Sequence, residues 1–344
     1  MNAGLLDRLL DPRPLGAREV RAAFDALTAP ATAEDERAAL LVALRARGHP
    51  ALELLAFARE MRRRAIPFPV PRRDRALDLC GSGGALHPSF NVSTVSAFVA
   101  RAAGRAVVKH GNRSRRVCGS SDLLDALGLP VLTSIPFARA SYRRFGIAFL
   151  HAPLFHPATR AVAATRLRLG IPTIFNRLGP LSNPARVRCQ VAGAPDLPSA
   201  IETARILPVL GVERGAAMAS DDGCDEFSPR ASTTAIVWTG ARTRRLRVDP
   251  TPLLPADDRR GPWGPLPPPE AAEEAERILA GGGGARRGSV LLTSGTALWV
   301  GGDVPALADG IERAREALDS GAAERLLENL RGLAARFPTS PKES

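Results

Sequence analysis

A chain of 344 residues, 45% of them hydrophobic, has the apolar surface for one large or two modest folded domains, which excludes a disordered or fibrous protein. Its 47 basic and 35 acidic residues leave a net charge of +12, but the arginines fall in short runs such as Arg62-Arg63-Arg64 and Arg244-Arg245 with few aromatics beside them. That pattern favours a solvated surface over a nucleic-acid partner. No stretch approaches the roughly 20 apolar residues of a membrane span, the first residues do not read as a signal peptide, and Cys80, Cys118, Cys189 and Cys224 form no CxxC pair. Zinc and a disulfide framework are disfavoured, and the cytoplasm is the expected compartment.

Residues 1 to about 66 repeat apolar side chains at helical spacing: Leu5, Leu6, Leu9, Leu10; Val20, Phe24, Leu27; Leu40, Leu41, Leu44; Leu52, Leu55, Met61. Four short helices follow from this, the third starting near Thr32 with Glu34 and Asp35 in its first turn, before a stop at Gly48-His49-Pro50. Pro67, Pro69 and Pro71 make a stiff hinge. Beyond it, short apolar runs alternate with helical segments. Leu77-Asp78-Leu79-Cys80 reads as a strand, Ser93 to Ala103 as a helix, Ala106 to Lys109 as a strand and Ser121 to Leu127 as a helix. Further runs lie at 148–150, 173–175, 216–219, 235–238 and 290–292, and this succession predicts a mostly parallel sheet flanked by helices. Residues 240–288, rich in Pro and Gly, read as surface connection and a peripheral helix.

Five short strings carry chemistry. Gly81-Ser82-Gly83-Gly84 follows a strand directly, and glycines there let backbone amides approach an anion. Asn91-Val92-Ser93-Thr94 then opens a helix with more polar side chains than a cap requires. Lys109-His110-Gly111-Asn112-Arg113-Ser114 lies at the carboxyl end of the second strand, where open α/β sheets bind ligands, and Gly119-Ser120-Ser121-Asp122 starts another helix. Because arginine fills every other basic position except Lys342, Lys109 suggests a place that wants a compact ammonium. Asp225-Glu226, on a loop, reads by itself as a solvated acidic turn, although such a pair is also chemically suited to a hydrated Mg²⁺ completed by substrate phosphates.

These strings, with FNRLGPLSNP from Phe175 to Pro184, resemble in order the GTGGD, NxST, KHGNR, GSAD, FNxLGPLxNP and DE motifs of the anthranilate phosphoribosyltransferase family, over nearly the whole chain. The resemblance implies a nucleoside-phosphorylase-like fold: an α/β catalytic domain, residues 71–344, and a small all-helical domain, residues 1–70, joined by helical pieces from about 125–145 and 155–170. It implies transfer of the 5-phosphoribosyl group of phosphoribosyl pyrophosphate to the amine of anthranilate, as in tryptophan biosynthesis, with Mg²⁺ as cofactor and a homodimer formed through the helical domain. By the same resemblance Gly81, Ser82, Gly84, Asn91, Ser93, Thr94, Lys109 and Ser120 hold phosphoribosyl pyrophosphate, Asp225, Glu226 and Ser93 hold metal, and His110, Asn112, His156, Arg166 and Pro180 line the acceptor tunnel. Lys109 and Arg166 are the expected catalytic residues, Arg166 facing the acceptor's carboxylate.

Three departures stand out: Ala85 in place of the aspartate of GTGGD, a loop from Arg113 to Cys118 one residue short, and His151 where the family often has an aromatic residue. They leave open another aromatic acceptor. A non-catalytic nucleic-acid-binding member of the fold and a nucleoside phosphorylase are the alternatives, against which stand His110, His156, Arg166, KHGNR and LGPLxNP.

Overall fold

The computed structural model describes residues 3–72, 75–82, 87, 89–114 and 117–337. Four helices open the chain: α1 (Ala3–Leu10), α2 (Ala17–Thr28), α3 (Glu34–Ala46) and α4 (Ala51–Arg64). Leu9, Phe24, Leu27, Leu40, Leu41 and Phe57 meet in one core, as their spacing requires. Thr32 is not the cap of α3, which starts after Ala33 without a side-chain cap; Glu34, Asp35 and Glu36 instead meet the positive end of its dipole. Gly48 and His49 both take left-handed φ values, 71° and 54°, and turn the chain into α4. A buried ion pair braces this turn, with Arg47 2.6 Å from Glu53 and the Leu15 amide donating to the same carboxylate.

The remaining elements are β1 (Ala76–Cys80), α5 (Val92–Ala102), β2 (Ala106–Gly111), α6 (Ser120–Ala126), α7 (Ile135–Phe145), β3 (Ile147–His151), α8 (Ala152–Phe155), α9 (Arg160–Leu169), α10 (Ile174–Leu178), β4 (Cys189–Gly193), α11 (Leu197–Val209), β5 (Arg214–Ser220), β6 (Thr233–Thr239), β7 (Arg242–Val248), α12 (Pro268–Leu279), α13 (Ala285–Gly301), α14 (Leu307–Asp319) and α15 (Ala322–Ala334). Among the described residues one seven-stranded sheet forms in the order β3-β2-β1-β4-β5-β6-β7. Strands β1 to β5 run parallel, and β6 and β7 are antiparallel additions, so the expected mostly parallel sheet is present.

Two apolar runs read as strands are helical. Residues 173–175 enter α10, and 290–292 lie inside α13, a helix buried almost all round, where no periodicity separates helix from strand. Of the helical pieces, α9 packs on α2 and α3, whereas α7, from the 125–145 stretch, packs chiefly on β3 and α15. Phe137 and Ala138 on α7 supply apolar contacts to the sheet side, which is why it stays there. Strand β7 forms a free sheet edge carrying exposed Arg242, Arg244, Arg245 and Arg247.

Candidate active site

The carboxyl ends of the parallel strands deliver the candidate residues to one place. Gly81 and Ser82 leave β1, and Ser82 donates both its N–H and its hydroxyl to Asp225 Oδ2 at 2.6 Å. Glu226 accepts from the Ser93 amide at 3.2 Å in the first turn of α5. Lys109 Nζ, fully buried, donates to the Leu79 carbonyl and to Ser93 Oγ at 3.1 Å. The acidic loop lies against β4 at Gly193, where an added Cβ would stand 1.7 Å from the Asp225 carbonyl oxygen, so only glycine fits there. Phosphate-binding and metal-binding candidates thus share one cluster. Gly84 and Ala85 lie outside the described residues.

The Glu226 carboxylate is buried and its Oε2 has no hydrogen-bond partner. Burial, with the Asp225 charge adding to it, pushes its carboxyl up to about 8, against the pull of Lys109. Two adjacent carboxylates with an unused buried oxygen are a donor set suited to a hard dication, with the Ser93 hydroxyl alongside. Among the described residues no group of three or more His, Cys, Asp or Glu gathers, so the remaining ligands of such an ion must be hydroxyls, water or substrate oxygens.

The segment after β2 is folded back on itself by Asp122. Its carboxylate accepts from the amides of Ser114 and Gly119, both at 2.9 Å, and from Arg113 Nε at 2.7 Å. The Asn112 carbonyl takes the Ser121 amide and the Ser120 hydroxyl, the latter at 3.3 Å. Asn91 Nδ2 donates to the Cys118 carbonyl at 3.1 Å and so ties this loop to α5, while Thr94 is buried one turn into that helix. His151 closes the same corner from β3, its Nδ1 2.9 Å from Ser121 Oγ.

A second wall faces this cluster. His110 and His156 meet edge to face with ring centroids 5.1 Å apart. His110 Nδ1 lies 3.3 Å from the Gly179 carbonyl, which fixes the proton on Nδ1 and leaves Nε2 as a buried lone pair. Burial holds His110 well below its usual pKa, a trend His156 adds to, and lowers His156 and His151 to about 4 each, so all three rings are neutral at neutral pH. Pro180 borders His110 through the same turn, and its carbonyl accepts from Gln190 Nε2 at 2.6 Å. Arg166, on α9, donates to Thr173 Oγ1 at 3.1 Å and Asn176 Oδ1 at 3.3 Å, and its guanidinium lies 5.3 Å from the Phe175 ring. The 173–183 segment therefore connects Arg166 at one end with His110 and Pro180 at the other.

Residues 3–65 match the model of the glycosyl transferase family's helical bundle domain, and residues 73–324 match that of its a/b domain. The anthranilate phosphoribosyltransferase of Persephonella marina is 36% identical over 329 residues, spanning 94% of this chain and 96% of that protein. The chain belongs to the anthranilate phosphoribosyltransferase family. A Solibacter usitatus member of the family is 37% identical across 96% of this chain and 98% of its own length. The crystal structure of the Thermus thermophilus anthranilate phosphoribosyltransferase superposes with a TM-score of 0.85 at 34% identity, covering 96% of this chain and 99% of that one. A Saccharomyces cerevisiae family member solved with phosphoribosyl pyrophosphate and Mg shares the fold, with a TM-score of 0.86 at 24% identity over 98% of this chain and 99% of its own.

Sequence reasoning missed Gln190 and Gly193, and named Asp78 only as part of a strand and Asn183 only within FNRLGPLSNP; all four hold other site residues in place. Asp78 gave a signal of its own, as a lone acid inside an apolar strand.

Proposed function

We propose that this phosphoribosyltransferase joins the 5-phosphoribosyl group of phosphoribosyl pyrophosphate to the amine of anthranilate and releases pyrophosphate. The observation that carries the reading is the pairing of two unlike walls. One bears the ammonium of Lys109, the hydroxyls of Ser82, Ser93 and Ser120 and the Asp225-Glu226 carboxylates; the other bears neutral rings, Pro180 and the Arg166 guanidinium. A phosphorylated donor fits the first and a flat aromatic acid the second.

In the reaction the amine lone pair forms a bond to C1 of the ribose, the C1–O bond to pyrophosphate breaks, pyrophosphate keeps that electron pair and the nitrogen loses one proton. An arylamine is neutral and nucleophilic at pH 7, so alignment is the main task. The His110 Nε2 lone pair can accept an amine N–H and orient the nucleophile, Arg166 can pair with the carboxylate, and Lys109 can offset charge growing on the leaving group. Mg²⁺, held by Asp225, Glu226 and the Ser93 hydroxyl, would supply charge neutralisation on the pyrophosphate oxygens when bound. Asn91, Thr94 and Gly81 complete the donor side, Gly84 belongs with them by its motif, and Asn112 joins His110, His156 and Pro180 on the acceptor side.

We assign residues 1–70 with the 155–170 piece to the helical domain and 71–344 to the catalytic domain. Exposed Leu10, Val42 and Leu167, on helices that pack together, support a homodimer through that helical domain. No helix among the described residues is long and apolar enough to cross a membrane, and a place in tryptophan synthesis in the cytoplasm suits the reading. The test is loss of anthranilate fluorescence on adding phosphoribosyl pyrophosphate and Mg²⁺. No turnover of anthranilate at any Mg²⁺ concentration would refute it.

A further inference from the structure

Strands β1 and β2 do not stay paired to their ends. They bridge at Ala76↔Ala106 and Leu77↔Val107 and then part, while β1 continues on β4 through Cys80↔Ala192 and β2 on β3 through Gly111↔His151. The parting falls at Val108 to His110, which stay paired to β3 on their other side. In a parallel ladder alternate residues turn both backbone groups toward the same neighbour, so the Val108 carbonyl and the His110 amide face the gap. Two side chains take the place of the missing strand partner. Asp78 Oδ1 accepts from the His110 amide at 3.1 Å, and Asn183 Nδ2 donates to the Val108 carbonyl at 2.8 Å. Lys109 Nζ reaches across the same gap to the Leu79 carbonyl.

Asp78 is 1% exposed and its other oxygen, Oδ2, has no hydrogen-bond partner. A buried carboxylate of that kind costs stability, and a plain strand would do better with valine. Asp78 also lies in reach of the Lys109 charge, the Asn183 side chain and the Leu79 backbone, and its hydrogen bond to the His110 amide is the one that stands in for the missing strand.

We propose that Asp78 is a positioning residue for the transfer: standing in for a strand at the His110 amide, it holds β1 and β2 apart and so directs Lys109 to the donor side and His110 to the acceptor side. This rests on the proposed reaction for what the two residues do, though not for the parting itself. Asp78 touches neither substrate and acts only through the course of β2.

Asp78→Val suits a buried strand but removes the acceptor oxygen, and Asp78→Asn keeps it. Asp78→Val should lower kcat about 30- to 100-fold, the scale of a misplacement near 1 Å, with smaller changes in either KM. Asp78→Asn should stay within about threefold of the wild type, because the oxygen and not the charge is required. In a His110→Ala background the Asp78→Val loss should shrink, since the two act as a unit. Amide hydrogen exchange over residues 106–112 should quicken in Asp78→Val and stay at the wild-type rate in Asp78→Asn. Wild-type kcat and exchange in Asp78→Val overturn the proposal. So does an Asp78→Asn enzyme that loses activity with exchange unchanged, an arm that decides even if Asp78→Val does not fold. A wild-type protein that turns over no anthranilate would sink the proposed reaction alone, and the exchange comparison would still judge Asp78.

Discussion

Replacing Arg166 by alanine separates acceptor binding from everything else in the site. The guanidinium is half-buried and is oriented by two neutral oxygens, Thr173 Oγ1 and Asn176 Oδ1, and by the Phe175 face. A charge-assisted hydrogen bond to a carboxylate contributes about 1.5–3 kcal/mol. At 1.36 kcal/mol per decade that is about 13- to 160-fold in acceptor affinity. Half-burial places the loss toward the lower end, about 10- to 50-fold, because solvent screens part of the interaction. Initial rates from anthranilate fluorescence should therefore show KM for anthranilate rising by that factor, kcat falling little, and KM for phosphoribosyl pyrophosphate unchanged. Arg166→Lys should recover only part of the loss, since a point charge lacks the planar fork. An unchanged KM for anthranilate in Arg166→Ala would remove this residue from the acceptor site.

Gly193→Ala drives a Cβ into the Asp225 carbonyl and should raise the Mg²⁺ and phosphoribosyl pyrophosphate concentrations needed for half-maximal rate at least about tenfold; unaltered Mg²⁺ dependence would refute the coupling of β4 to the acidic loop. Glu53→Ala leaves Arg47 buried without its partner and should cost about 3–5 kcal/mol in denaturant unfolding. Burial raises the Glu53 pKa, but Arg47 and the Leu15 amide outweigh it, so the folded-state value is depressed; this stability is present above the usual carboxylate pKa and is lost as pH falls through the folded one. Leu167→Glu, at a side chain 64% exposed, should convert a dimer to monomers by sedimentation without unfolding them, and an unchanged mass would move the interface elsewhere. Ala85→Asp should tighten phosphoribosyl pyrophosphate binding and introduce inhibition at high Mg²⁺, whereas superimposable Mg²⁺ curves would place position 85 outside the metal site.

The amphipathic spacing of residues 5–61 was enough to read α1 to α4, because each helix has one apolar stripe facing one core. The strands β1, β2 and β3 were legible as short apolar runs between turns. Strand β4 was not, since Gln190 interrupts it, and that buried glutamine donates to the Pro180 carbonyl and to Cys80 Sγ. Strand β7, written Arg-Thr-Arg-Arg-Leu-Arg-Val, shows too short an apolar face to read, with only Leu246 and Val248 reaching the core, and it joins the sheet through its pairing with β6. The motif residues announce themselves by type. Asp78 shows as a lone acid in an apolar strand and Asn183 as a motif residue, but their partners, the His110 amide and the Val108 carbonyl, are distant in sequence, and Gly193 meets the Asp225 carbonyl with no local pattern to read.

The free edge at β7 bears on how this protein behaves in a crowded solution. An open strand edge invites a second copy to continue the sheet, and chains extended this way precipitate. Here two such edges meeting would bring Arg242, Arg244 and Arg245 against the same residues of the other molecule, with Arg247 paired to Asp221. Like charges set across a ladder repel, and Arg244 is further engaged over the Trp299 ring at 4.8 Å. The surplus of arginine thus acts as a colloidal safeguard, strongest at low ionic strength. Replacing these arginines with threonine should make the protein turbid on concentration long before it changes a rate constant.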